Sequence, residues 1–270
     1  MANDAIHAMA QAHKAVQVRS AARVQAALSA LWDRTLDPSD LTGSFLRFRE
    51  QAVQLILGGR GLAEREADEY YRKLAAFKGH APMLAGVPHP SGSAGVVKAQ
   101  LSGATGRSLG RAAYVRSTGG ATAAALAAAK SQMLGAAKRT IIQASRDRLT
   151  AVSRADHRIK GWARVSDGDP CAFCAMLCGR GPVYSDDTVD FIAHARCGCN
   201  ARLVYWDDPD GGWSDEAQAY REAYEQGVIG LRYGNRARGE GDPNAVTSAA
   251  WEAGFDALQW LDDWIRRNNI

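Results

Sequence analysis

A chain of 270 residues, 46% hydrophobic and 23% charged, has apolar material for one good core or two small ones and is too apolar to be intrinsically disordered. No apolar run approaches the ~20 residues that span a bilayer, and the opening M-A-N-D-A-I-H-A-M-A lacks the basic start and apolar core of a secretion signal. The net charge of +4 divides unevenly: residues 1–150 hold 20 Lys and Arg against 10 Asp and Glu, and residues 151–270 hold 13 against 19.

These features set the first expectations. The protein is made in a reducing cytoplasm and does not enter a membrane, and clustered cysteines there bind metal more often than they pair. The basic half can face a polyanion and the acidic half a protein partner. Two solvated surfaces of unequal sign account for the same charges.

In chain order, Val16, Val24, Leu28, Leu31 and Trp32 recur at helical spacing and predict a helix over 5–35. Asp37-Pro38-Ser39-Asp40 ends it and offers caps to the next. That second helix, about 41–57, places Leu41, Phe45, Phe48, Ala52 and Leu55 on one face, and Gly58-Gly59-Arg60-Gly61 is expected to break it. A third helix over 62–78 carries Tyr70, Tyr71, Leu74 and Phe77, read as core or helix-contact residues. Residues 79–95, rich in Pro, Gly and Ser, form a linker or long loop.

From about 96 the chain turns alanine-rich and helical, with Met133, Leu134, Ile141, Leu149 and Val152 on one stripe. Twelve Lys and Arg fall between Lys98 and Lys160, opposed only by Asp147 and Asp156. On a helical projection Lys138, Arg139 and Arg146 lie away from the apolar stripe, with Lys130 and Arg148 near its edge. These five are the candidate DNA contacts. Their wide arc suits non-specific attraction to phosphates better than reading of bases.

Trp162-Ala163-Arg164-Val165 and Leu203-Val204-Tyr205 read as paired short strands, Asp207–Gly212 as a turn, and 214–226 as a helix. A Gly/Arg/Asn-rich loop over 227–243 precedes a last amphipathic helix, about 244–267, with Trp251, Phe255, Leu258, Leu261 and Ile265 on one face.

All five cysteines lie between Asp169 and Cys199. Cys171 and Cys174 form a C-x2-C knuckle, Cys178 follows, and His194, Cys197 and Cys199 return as H-x2-C-x-C. A knuckle aims two thiolates at one point, and a second cluster about 20 residues on can close a tetrahedral zinc site. Five donors compete for four seats, with Cys178 a sixth, and buried thiols packing without metal are the plain alternative. Cys197 and Cys199 would point to opposite sides of an extended backbone, leaving one as a spare.

Catalytic readings fail on missing parts. Pro170-Cys171-Ala172-Phe173-Cys174 matches the P-C-x-x-C half of zinc nucleobase deaminases, but two residues after His157 stands Ile159 where the proton-shuttling Glu is required. Asp186, Asp187 and Asp190 near His194 read as a turn or cap before they read as a nuclease centre. No G-x-S-x-G or H-E-x-x-H is present, and Gly103–Ser108 lacks the spacing and lysine of a phosphate loop. The expectation is no enzyme.

The stretch W-A-R-V-S-D-G-D-P-C-A-F-C-A-M-L-C-G-R-G-P-V-Y, followed by H-A-R-C-G-C-N-A-R-L-V-Y, resembles the minor head proteins of tailed bacteriophages typified by the F protein of phage Mu, in the version found in phages of high-GC Gram-positive hosts. The specific match covers about 160–206, with a weaker likeness in D-L-x-x-S-F-x-R-F and the Tyr70-Tyr71 pair. The chain departs from that pattern at Arg196, where many relatives carry a second His, and at Cys178, where a small residue is common.

The resemblance assigns the metal ligands among Cys171, Cys174, His194, Cys197 and Cys199. It implies a minor capsid protein active in head morphogenesis, present in several copies inside the capsid near the portal vertex. The portal protein, other head proteins and packaged duplex DNA would be its partners. A zinc-stabilised DNA-binding protein of other purpose is the alternative.

The fold class expected is mainly α with a small αβ part. The partition is a helical region to 95, a Mu F-like domain over 96–206 built on a long basic helix and the Cys/His cluster, and an acidic helical region over 207–270.

Overall fold

The computed structural model describes residues 2–89, 92–166, 170–184, 191 and 198–227. Among them the chain is mainly helical with one two-stranded antiparallel sheet, as the periodicities predict. In order come α1 (Ala2–Thr35), α2 (Leu41–Phe77), α3 (Ala94–Ser117), α4 (Ala123–Ala155), β1 (Ile159–Val165), α5 (Ala172–Cys178), β2 (Asn200–Tyr205), a 3-10 turn (Pro209–Gly212) and α6 (Asp215–Glu225). No described helix is long and apolar enough to cross a membrane. The helix expected over 244–267 and the loop before it lie outside the described residues, apart from Gly227.

Two compact units emerge. The first comprises residues 1–14, 67–88 and 146 onward, the second 15–66 and 89–145. The sequence partition is serial, with divisions at 95 and 206, whereas the units interleave because α1, α2 and α4 each contribute residues to both.

The second unit is built from four helical stretches. Its core gathers Leu28, Leu31 and Trp32 of α1, Phe45, Phe48, Val53 and Ile56 of α2, Val97 and Leu101 of α3, and Met133 and Ile141 of α4. Trp32 meets Phe48 edge-on, ring centroids 5.2 Å apart, an arrangement favoured by the ring quadrupoles.

The predicted break at Gly58–Gly61 does not occur, and α2 runs straight through it. A Cβ at Gly59 would stand 3.1 Å from both Ile141 Cδ1 and Val24 Cγ2, so this glycine lets three helices approach closely. The packing offsets the roughly 1 kcal/mol that glycine costs a helix interior. The continuous helix carries its buried face past Ala52 to Val53 and Ile56. Leu55 and Phe77, read as face residues, are 36% and 48% exposed.

The long basic helix is in fact two. It stops at Thr118-Gly119-Gly120, where Gly119 takes a φ of +76°, a left-handed conformation that glycine adopts without a Cβ clash. Ser93 caps α3, its hydroxyl accepting from the Val96 amide. Gly103–Ser108, the stretch with a passing likeness to a phosphate loop, lies inside α3.

The first unit packs the β1–β2 pair against helices. The register aligns Trp162 with Leu203, Ala163 with Arg202 and Val165 with Asn200, with an irregularity between Ile159 and Gly161. All six residues of β2 are buried, so this sheet is covered rather than half-solvated and its sequence shows a run in place of alternation. The core takes Ile6 and Ala10 from α1, Tyr70, Tyr71 and Leu74 from α2, Leu149 and Val152 from α4, and most of the α5 and β2 side chains.

Where α4 turns into β1, the buried Asp156 carboxylate accepts from Tyr71 Oη, Arg158 Nε and Arg158 Nη2, each at 2.7 Å. Burial raises the acid's pKa, but these donors together hold it below the usual carboxylate range. A charged carboxylate therefore anchors the start of the hairpin.

Candidate functional site

The four described cysteines, Cys171, Cys174, Cys178 and Cys199, all belong to the first unit. Cys171 caps α5, and its sulfur accepts from the Cys174 backbone N–H at 3.5 Å. That N–H···S contact holds the turn of the C-x2-C knuckle, with Cys174 buried and Cys171 half-buried.

Cys178, one helical turn beyond Cys174, meets Cys199 instead. Their thiols hydrogen-bond, and burial, followed by the Cys199 contact, pushes the Cys178 thiol well above its ordinary pKa. His194 and Cys197 lie outside the described residues. Among the described residues no three Cys, His, Asp or Glu gather as a metal-binding group.

Around these thiols stands an aromatic and cationic stack. The Trp162 amide donates to Tyr184 O at 2.8 Å, and the Trp162 ring stacks on Tyr184 at 4.3 Å and on Phe191 at 5.1 Å. Arg164 lies 3.9 Å from the centroid of Phe191 and Arg146 lies 4.6 Å from it. The Arg146 guanidinium also donates through Nε and Nη2 to Cys199 O. One arginine of α4 thus ties the start of β2 to the ring. Tyr184 Oη donates to Leu177 O at 3.0 Å, fastening the segment after α5 back onto that helix.

The structure disposes of the five DNA candidates unequally. Arg146 and Arg148 are 0% and 1% exposed, so the expectation that they face a polyanion is corrected. Arg148 donates to Asp68 Oδ1 at 2.7 Å and to the carbonyls of Val87 and Pro88 at 2.8 Å each. A buried guanidinium with four of its five N–H donors engaged inside the protein is not placed to meet a phosphate. Lys130 is half-buried and bonded to Asp33 at 2.7 Å. Lys138 and Arg139 are half-exposed.

A polar network that no motif signals lies near the same hairpin. Glu216 Oε1 accepts from Ser166 Oγ and from Tyr220 Oη, each at 2.9 Å, while Lys14 Nζ donates to Ser166 O at 2.9 Å and His7 Nε2 stands 3.5 Å from Glu216 Oε2. The Ser166 hydroxyl donates to a carboxylate and the histidine faces that carboxylate's other oxygen. The arrangement ties α1 and α6 to the end of β1. Its members come from residues 7, 14, 166, 216 and 220, a separation that local sequence patterns do not register.

A family model described as VG15 protein matches residues 4–227, which spans both compact units and the whole cysteine segment. No curated protein and no solved structure matches.

Proposed function

The chain belongs to the VG15 protein family, a phage-associated family, and from that premise we propose that it is a minor capsid protein of a tailed bacteriophage, of the Mu F-like kind, acting in head morphogenesis. In this reading it joins the portal protein inside the capsid near the portal vertex, in several copies, and lies beside the packaged DNA. Its role is structural rather than enzymatic. The observation that carries the reading is the arrangement of the identifying stretch: the W-A-R-V strand, the P-C-A-F-C knuckle and the N-A-R-L-V-Y strand form one hydrogen-bonded pair with a capped helix in a single unit.

The test is co-expression with the portal protein of the same phage. The full chain is expected to co-purify with it, and a chain ending at Gly227 to do so poorly. The truncation starts there because Tyr220 and Ala223 of α6 are buried in the first unit, so cutting at 207 would unfold what is being tested. No co-purification with portal, together with retention on duplex DNA, would favour the zinc-stabilised DNA-binding protein of other purpose.

We further propose a structural zinc held by Cys171, Cys174, His194 and Cys197, with Cys199 left to its contact with Cys178. A soft divalent ion in a closed four-ligand site would clasp the knuckle to the return segment and stabilise the fold. Elemental analysis of purified protein is expected to give about one zinc per chain, lost in Cys171→Ser and kept in Cys199→Ser. Metal absent from the wild type removes the zinc site and leaves the head-protein reading standing.

A further inference from the structure

Between His89 and Ser145 the chain has seven Lys and Arg and not one Asp or Glu. Three of the seven are occupied within the second unit: Lys98 by Glu50 at 2.6 Å, Lys130 by Asp33, and Arg116 by the carbonyls of Pro38 and Ser39. Arg107 and Arg111, both exposed, and Lys138 and Arg139, half-exposed, have no hydrogen bond or ion pair among the described residues.

Three of these four share one seam. Gln100 of α3 accepts from Thr140 of α4 at 2.8 Å, and Ser108 donates to Gln132 at 2.9 Å, so α3 and α4 lie side by side along this stretch. Arg107 and Tyr114 follow Gln100 at steps of seven, and Arg111 is one turn beyond Arg107, about 6 Å along the axis. The same side of α3 that reaches α4 therefore carries both arginines and a tyrosine that is 70% exposed. On α4, Arg139 follows Gln132 by seven residues and precedes Thr140 by one, which puts it on the edge of α4 that borders α3. Lys138, a third of a turn away, falls off this edge.

The rest of the α3 surface is unusual. Opposite its buried residues Val97, Leu101, Thr105 and Ala112 lie Gly103, Gly106 and Gly110, all exposed and none with any atom within 4 Å of where a Cβ would be. Each glycine costs the helix about 1 kcal/mol relative to Ala with no packing in return. Beside the arginines they leave a smooth wall that a bulky, charged rod can approach.

From this we propose that the α3–α4 seam, through Arg107, Arg111 and Arg139 with Tyr114 as a hydroxyl donor, is the surface on which this protein rides the sugar-phosphate backbone of duplex DNA. The proposal rests on the DNA contact in the head-protein reading and replaces its buried candidates with a specific surface. An acidic protein face is the competing occupant. DNA is favoured because arginine forks match phosphate oxygens in pairs. In addition, a stretch with seven cations and no Asp or Glu suits a uniformly anionic polymer whose charge repeats along its length. Made through phosphates, the contact is sequence-independent, set by phosphate charge and counterion release.

The test is retention of random-sequence duplex DNA by the full chain across a salt series. The triple variant Arg107→Ala, Arg111→Ala, Arg139→Ala is compared with wild type and with Lys98→Ala, Lys130→Ala. Losing three phosphate contacts should flatten the slope of log K against log salt by about 2.7 and weaken binding about eightfold per contact at 0.1 M salt. The two-lysine variant should change far less. Helicity measured alongside shows that the exposed substitutions leave the fold intact, and the single variants should each carry about one contact's share.

Wild type that binds DNA with an unchanged triple variant overturns the surface and leaves the DNA contact standing. Wild type that does not retain DNA overturns both, without touching portal co-purification. A triple variant that keeps DNA and loses the portal protein shows the seam to be a protein-docking face and also overturns the proposal.

Discussion

Arg148→Ala should lower the unfolding free energy by about 3–5 kcal/mol, the range seen when one partner of a buried ion pair is removed. The side chain is one of the largest fully buried groups, and it closes a bidentate pair with Asp68, at 2.7 Å through Nε and 3.3 Å through Nη2. Its remaining Nη1 reaches the carbonyls of Val87 and Pro88. Truncation strands the buried Asp68 carboxylate and the buried Val87 carbonyl at once, and both lose their partner without regaining water.

Arg148→Lys should recover little, because an ammonium is a point charge and cannot span three acceptors in one plane. Arg148→Met combined with Asp68→Leu should cost less than Arg148→Ala alone, since removing both charges avoids the unpaired carboxylate. Denaturant unfolding measures all three. A loss below about 1 kcal/mol for the single variant would mean that the guanidinium is not buried against Asp68 as described.

The second large effect is expected at Trp162. The indole is 2% exposed and stacks on Tyr184 and Phe191. Replacing it with Ala should cost about 3–5 kcal/mol, from lost burial and from the cavity left between rings that cannot collapse together. The damage should also reach the thiols, because Phe191 is the ring that Arg146 and Arg164 cover and Arg146 holds the Cys199 carbonyl. Accordingly, Trp162→Ala should make Cys178 and Cys199 react faster with a thiol reagent under native conditions, whereas Trp162→Phe should largely preserve their protection. Equal labelling rates in wild type and Trp162→Ala would separate the stack from the cysteine pocket.

How much of this was legible beforehand differs from element to element. The strand pair 162–165 with 203–205 and the helix at 214–226 stood out because their apolar residues and bounding turn residues are local signals. The break that local sequence predicts at Gly58–Gly61 is absent for an equally physical reason. Glycine weakens a helix unless something uses the missing side chain, and Val24 and Ile141, 35 residues before Gly59 and 82 after it, are what use it. The cysteine knuckle was legible from spacing, while the Cys178–Cys199 contact was not, since 21 residues separate them. The motif around 160–206 was readable as that of a phage protein, and the match to the VG15 protein family over 4–227 supports that coarser statement.

The basic stretch shows the division most sharply. Composition and helical spacing by themselves determined that this is a mainly helical chain with a strongly basic middle and a cysteine-bearing hairpin. They could not rank the cations, because a charged side chain is placed in solvent by default, and only distant partners can make burial favourable. Tertiary structure supplied those partners: Asp68, Val87 and Pro88 for Arg148, and Cys199 and Phe191 for Arg146. It left Arg107 and Arg111 exposed and Arg139 half-exposed, with no ion pair or hydrogen bond among the described residues. Which arginines hold the fold was decided by contacts 45 to 80 residues apart, and no local pattern carries that information.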